Sequence, residues 1–482
     1  MKAMTKTILL AAALVLSSSL GPAALGAPPQ PRVGPDRPFH PPATTRTRLP
    51  GGLSLLVIER RGLPLVHLEL VIPGAGAAAD PPGKAGLAAF TADLVDEGTE
   101  TRSALATARA IESLGALVLT YADRRAAHIS MRTLSRTLPR SLDLFAEMIT
   151  RPAFRAADVR RVHDDRMIAL RLRRDRPREV SALRLDAALF GADSPQGHPV
   201  DGELPSFARL GAADARAFHR ANWDPSTATL IIVGDVDPAA IARQVGERLA
   251  SWTPRARSAR SKPMPPGKPS PAHLVLVDRP GATQTDVVFG LRSIPRTDPR
   301  AYAWEVLLNA FGGGFTGRLT QILRERLGYL YHVYPDTTYD LDGGSRYTVL
   351  APLITARTAD GIKEIRAIAD DLAARGPPPA ELEKARRNLV RDLPDLFETN
   401  RLTATAFADL VLAGLPDAWY ASYPARILAV DAAAVKDAAR TLLAGSALVF
   451  AAVGDLGQIR TRLEALGLGT PEVYDLAGRG RR

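Results

Sequence analysis

Leu230-Ile231-Ile232-Val233-Gly234-Asp235-Val236 is an apolar run closed by a Gly-Asp step, and Val449-Phe450-Ala451-Ala452-Val453-Gly454-Asp455-Leu456 repeats it late in the chain. The two glycines stand 220 residues apart. Upstream, Val57-Ile58-Glu59-Arg60 matches Leu276-Val277-Asp278-Arg279, with Ile58 and Val277 separated by 219 residues. Two landmarks at nearly the same offset mark an internal duplication. Each is too short and too apolar for a surface helix and has the length of a buried strand. The rest of each half fits around them. Leu55 to Ile58 and Val66 to Ile72 read as strands on either side of the breaker Gly62-Leu63-Pro64, and Ile129 and Met131 alternate with polar neighbours in another. Leu138, Leu142, Phe145 and Met148 recur at helical spacing, as do Ile362, Ile365, Ile368 and Leu372. The fold class that follows is α+β: two homologous α/β sandwich domains.

A chain of 482 residues exceeds one ordinary core. Thr253 to Pro271 holds six prolines and five basic residues and reads as a linker. The expected organisation is therefore an N-terminal domain over 48–252, a linker over 253–270, a C-terminal domain over 271–471 and a tail over 472–482. Residues 27–47 open Ala27-Pro28-Pro29-Gln30-Pro31 and read as an extended Pro-rich leader. Before them, Lys2 and Lys6, the apolar stretch Ile8 to Leu16 and the small-residue exit Ala24-Leu25-Gly26-Ala27 form a signal peptide over 1–26. This predicts a periplasmic or secreted protein. With no cysteine, neither a disulfide nor a lipidated cysteine is available to it. No later apolar run approaches the roughly 18 residues of a membrane-spanning helix, so no membrane insertion is expected. The formal charge of +11 is spread along the chain with no aromatic-interleaved basic strip, which argues against a nucleic-acid partner.

Gly86-Leu87-Ala88-Ala89-Phe90-Thr91-Ala92-Asp93 leads into Leu94-Val95-Asp96-Glu97-Gly98-Thr99. This resembles the helix on which inverzincins, the pitrilysin- and insulinase-like zinc peptidases, carry H-x-x-E-H between G-L-A and a closing Gly-Thr. That motif needs two imidazoles one helical turn apart to hold zinc and a Glu between them as base. Ala89, Ala92 and Asp93 stand at those places. The resemblance also implies a further zinc-binding Glu on a later helix, where the sequence offers Asp158, Asp164 and Asp165 and no Glu between Glu147 and Glu179. Asp93 and Glu97 together read as a solvated helix face, and His163 and His198 as lone surface or loop histidines. No metal or other cofactor is expected in this chain.

In the second half, Phe311-Gly312-Gly313-Gly314-Phe315-Thr316-Gly317-Arg318-Leu319 runs into Gln321-Ile322-Leu323-Arg324-Glu325-Arg326-Leu327-Gly328-Tyr329-Leu330-Tyr331-His332-Val333. It is similar to the family strings G-G-G-F-S-S-R-L and L-R-E-x-x-G-L-x-Y-x-V. Three glycines after an apolar helix let the backbone turn sharply and approach another chain. Leu319, Ile322 and Leu323 predict a short buried helix and Tyr329 to Val333 a strand. Glu381-Leu382-x-Lys384-Ala385 is another recurring family string. The resemblance implies that Gly312, Gly313, Gly314, Phe315 and Arg318 bind substrate. It implies too that Arg324 and Tyr331 face a zinc-bound substrate, where a guanidinium and a phenol hold its backbone and stabilise a developing oxyanion.

Members of this size, such as mitochondrial processing peptidase, pair a zinc-bearing subunit with a zinc-less one, and this sequence is similar to the second kind. The implied function is an inactive subunit of a heteromeric metallopeptidase. It would form a heterodimer with a zinc-bearing family subunit, close a chamber over unfolded peptide, and supply Arg324 and Tyr331 in trans, with zinc in the partner. The alternative is a structural or peptide-binding pseudopeptidase with no catalytic role.

Overall fold

The duplicated landmarks pair with one another in each half, which is why they keep one offset. In a computed structural model, β2 (Ser54–Glu59) lies parallel to β6 (Thr229–Gly234) with Glu59 opposite Gly234. Likewise β7 (Leu274–Asp278) lies parallel to β11 (Val449–Gly454) with Asp278 opposite Gly454. Arg60 and Arg279 each donate their backbone N–H to the carbonyl of that glycine, at 2.8 Å in both halves. A Cβ on Gly234 would lie 2.2 Å from the Leu65 carbonyl oxygen, so the neighbouring strand excludes a side chain there. The structure describes residues 38–254, 267–270, 272–341, 343–443 and 447–481. The chain from His40 onward is one compact unit. The signal peptide and most of the leader and linker lie outside the described residues.

Among the described residues the strands form two sheets. The first has the order β1-β2-β6-β3-β5-β4, with β1 at Thr45–Arg48, β3 at Leu65–Pro73, β4 at Leu117–Ala122 and β5 at Ala126–Leu134. The second has the order β13-β12-β7-β11-β8-β10-β9. Its other members are β8 (Gln284–Arg292), β9 (Tyr334–Thr338), β10 (Arg346–Ile354), β12 (Glu472–Asp475) and β13 (Gly480–Arg481). The expected helices are present as Leu138–Thr150 and Thr358–Arg375.

Strand alternation gives each sheet two apolar faces, and both are buried. On the first sheet, Val66, Leu68, Leu70 and Ile72 pack with Leu142, Phe145, Ile241 and Val245 from the helices Leu138–Thr150 and Pro238–Arg248 of the same half. Its opposite face, with Leu56, Ile58, Ile231 and Val233, is buried where the helix Asn400–Leu412 of the other half lies against β3 and β6. The exchange is reciprocal. Leu185, Ala188, Leu189 and Phe190 of the helix Pro177–Phe190 pack on Val275, Val288, Val449 and Ala451 of the second sheet. Pro177 starts that helix and Gly191, at φ 82, ends it.

Three expectations need correction. The boundary at the linker divides the sequence, but in space each half completes the other's sandwich. The leader expected over 27–47 ends sooner, because Thr45–Arg48 is strand β1 on the first sheet. The tail is also sheet: β12 runs parallel to β7 and carries β13 at the edge.

Because Phe190 is fully buried against the sheet of the other half, Phe190→Ala should remove about 3–5 kcal/mol of stability. It should also lower the transition of both halves. Urea unfolding followed by tryptophan fluorescence would check this, since Trp223 and Trp252 report on the first half and Trp304 on the second. An unchanged first-half transition would contradict the exchange.

Candidate functional site

The helix Leu87–Asp93 is set by Gly86 at φ 96 and by Asp80, whose carboxylate accepts from the backbone N–H of Gly86 and Ala88, both at 2.7 Å. Leu87, Ala88 and Phe90 anchor it in an apolar cluster with Val159, Val162 and Leu170 of the helix Ala156–Leu172. Ala89 and Ala92 are buried and offer no ligand atom. At Asp93 stands an ion pair. Arg166, on the later helix, donates its Nε to the Asp93 carboxylate at 2.5 Å and an Nη to Asp201 at 2.6 Å. Burial pushes the Asp93 carboxyl above its ordinary range, and the guanidinium acts against that shift. Arg161 pairs in the same way with Glu97.

Asp93, Asp96, Glu97, Leu119, Asp165 and Arg166 line a cleft of about 460 Å³. Burial, with Glu97 nearby, raises Asp96 to about 6. Among the described residues no group of three or more His, Cys, Asp or Glu side chains is placed to hold a metal ion. The residues at the family's zinc position do not fit the metal: two are methyl groups and the third is bound to a guanidinium. Asp93 and Glu97 are therefore not a solvated face but are paired across to the helix Ala156–Leu172. His163 is not a surface residue either. Its ring stacks on Phe207 at 5.3 Å and its Nε2 lies 3.3 Å from the Phe207 carbonyl oxygen. Sequence reading missed Arg166, because it stands in a helix crowded with charges that all read as solvated.

Beside the cleft, β4 is the outer strand of its sheet, with its far edge unpaired among the described residues. Leu117 and Leu119 are 60% and 58% exposed there. A free strand edge flanked by exposed apolar side chains is a template for an extended chain. Tyr121 of the same strand stacks on His128, ring centroids 4.5 Å apart. His128 lies between Glu69 and Asp123, its two ring nitrogens 3.3 Å from a carboxylate oxygen of each.

The second constellation is the glycine-rich loop. The helix Ala301–Gly312 ends in the triple glycine, Gly314 takes φ 55, and a π-helix follows at Thr320–Arg326. A π turn is rare and occurs often at functional sites. Leu319 and Leu323 are buried as expected, but Tyr329 to Val333 is not a strand: β9 begins at Tyr334. The structure brings Arg324, Tyr331 and Phe315 together. The Arg324 guanidinium lies 4.7 Å from the Tyr331 ring centroid and 5.5 Å from that of Phe315, and its Nε is 3.2 Å from Glu325. Tyr331 is 78% exposed and Phe315 64%. His332, Tyr334 and Phe315 continue the aromatic patch. Arg318 is different. Its guanidinium is bound to Asp371 at 2.6 Å and Glu381 at 2.7 Å, so it ties the loop to the helices behind and is not free for substrate. This also explains the string that begins at Glu381.

Residues 57–184 match the family model described as Insulinase (Peptidase family M16), and residues 209–389 match that described as Peptidase M16 inactive domain. The chain is similar to an uncharacterized zinc protease of Mycobacterium bovis, 31% identical over 366 residues that cover 74% of this chain and 81% of the relative. A relative of the same description from Streptomyces coelicolor is 28% identical over 346 residues, 70% of this chain and 74% of that one. The chain belongs to the M16, or insulinase, peptidase family. Among solved structures, a peptidase M16 inactive domain from Pseudomonas fluorescens superposes with a TM-score of 0.77 at 23% identity, covering 85% of this chain and 98% of that one. A protease from Helicobacter pylori gives 0.79 at 18%, over 86% and 100%. Both share the two-sheet fold.

The His128 cluster gives a pH dependence. Burial alone would lower its pKa, but the hydrogen bonds and charges of Asp123 and Glu69 outweigh burial and raise it from 6.5 to about 9. A histidine raised on folding contributes stability that is full below 6.5 and is lost as pH rises through 9. The melting temperature should therefore fall between pH 6.5 and 9, and the fall should flatten in His128→Gln. A wild-type melting temperature that stays level over that interval would refute the charged state of His128.

Proposed function

We propose that this chain is the zinc-less subunit of a heteromeric M16 metallopeptidase. It closes a chamber over unfolded peptide and presents Arg324 and Tyr331 in trans to a zinc-bearing partner. The observation that carries the reading is the contrast between the halves: the zinc position is filled by the Asp93–Arg166 ion pair, whereas Arg324 and Tyr331 stand together and accessible beside the glycine-rich loop. A phenol that is 78% exposed gains little for stability, so its use lies in what it touches. The unpaired edge of β4 and its leucines give an extended peptide a place to add to the first sheet. The partner supplies the metal chemistry. This chain's residues hold the peptide backbone and face the charge that develops on the attacked carbonyl. The zinc-protease names of the relatives fit such a complex, and the signal pattern at the N-terminus supports a place for it in the periplasm or outside the cell.

The test is Tyr331→Phe, which removes one donor at an exposed position and leaves packing unchanged. With the partner present, assembly measured by size-exclusion chromatography should persist, while turnover of peptide falls on the order of a hundredfold. Arg324→Ala should be at least as severe. Full turnover by the Tyr331→Phe complex would leave the chain a structural or peptide-binding pseudopeptidase.

A further inference from the structure

Tyr347 stands on β10, buried to 1% exposure, and its hydroxyl has no hydrogen-bond partner among the described residues. Its ring is fixed between Trp304 and Phe311, at centroid distances of 6.2 Å from each. Burial pushes the phenol far above its ordinary range, so it remains a donor at any working pH. An unmade hydrogen bond at a buried hydroxyl costs about 1–3 kcal/mol. The hydroxyl is aimed at the glycine-rich loop, since a Cβ on Gly312 would lie 2.5 Å from it. Gly312 is the last residue of its helix, where carbonyls lack intrahelical donors. The donor and the helix end thus face each other across a gap that only glycine leaves open.

Beyond Gly312 the loop and the π-helix that follows it are joined as one piece, with open space beside Gly314. A Cβ on Gly314 would meet nothing within 4 Å. Side chains of the π-helix grip the loop backbone, Thr320 Oγ1 donating to the Gly314 carbonyl at 2.9 Å and Gln321 Nε2 to the Phe315 carbonyl at 2.8 Å. A shift of the loop therefore carries the helix that bears Arg324.

We propose that Tyr347 is a positioning residue: when an extended peptide presses on the glycine-rich loop, the Tyr347 hydroxyl donates to a backbone carbonyl at the end of the Ala301–Gly312 helix and latches Phe315 and Arg324 against the peptide. This rests on the peptide-chamber reading above. The latch is made only in the bound state, which separates it from a structural hydrogen bond.

The test compares wild type and Tyr347→Phe in the full chain, with casein as a natively unfolded probe. Three quantities are read: melting temperature, casein affinity, and amide-exchange protection of residues 312–326 with and without casein. Tyr347→Phe should melt at or above the wild-type temperature, because it removes an unpaired buried hydroxyl. It should also bind casein about three- to tenfold more weakly, the worth of one hydrogen bond, and lose the protection that casein confers on the loop. Equal affinity and equal protection in the two proteins would overturn the latch and leave the chamber reading standing. A lowered melting temperature with unchanged affinity would make Tyr347 structural and overturn it too. Failure of wild type to bind casein at all would overturn both.

Discussion

The structure depends on the exchange of one helix between its two halves. Each sheet is apolar on both faces, and the helices that each half keeps for itself cover only one of them. Without the helix Asn400–Leu412 the first sheet would expose Ile231 and Val233, and without Pro177–Phe190 the second would expose Val275 and Val288. Burying such side chains contributes about 1.5–3 kcal/mol each, so neither half is complete alone. The exchange also sets the relation of the functional surfaces. It holds in one compact unit the cleft beside Asp93 and the loop that bears Arg324, which lie on different halves of the duplication.

Within that frame the two halves have diverged in chemistry. In the first, a salt bridge stands where a peptidase of this family would hold a metal: Asp93 faces the Arg166 guanidinium, and that cation already satisfies the carboxylate a metal would need. In the second, the loop has kept accessible groups. Arg318, which the family resemblance implies for substrate, is held by two carboxylates and anchors the loop, while Arg324 lies against the Tyr331 and Phe315 rings beside Glu325. Two arginines six residues apart thus differ in what holds them, and only their partners tell them apart.

Duplication, strands and long helices were legible because apolar periodicity survives in one sequence. Leu138 to Met148 and Ile362 to Leu372 face a core, and their spacing says so. What was not legible has physical reasons. β1 reads Thr-Arg-Thr-Arg, exposed at all four positions, and carries no apolar signal. β12 has four residues, too few for alternation to show. The π turn at Thr320–Arg326 has the same buried leucines that an ordinary helix would have. An amphipathic pattern shows that Pro177–Phe190 has an apolar face, but not whose sheet it covers. At the site, the loss of histidines at Ala89 and Asp93 was plain from residue identity. The replacement by Arg166 was not, because a pair 73 residues apart leaves no local pattern.

Among the described residues, the helix Leu87–Asp93 and the helix facing it offer no set of groups that fits zinc. Metal analysis of the purified chain after exhaustive dialysis tests this most directly. Zinc should stay far below one equivalent per chain, both before and after incubation with the metal. One tightly held zinc per chain, retained through dialysis and released by a chelator, would contradict it.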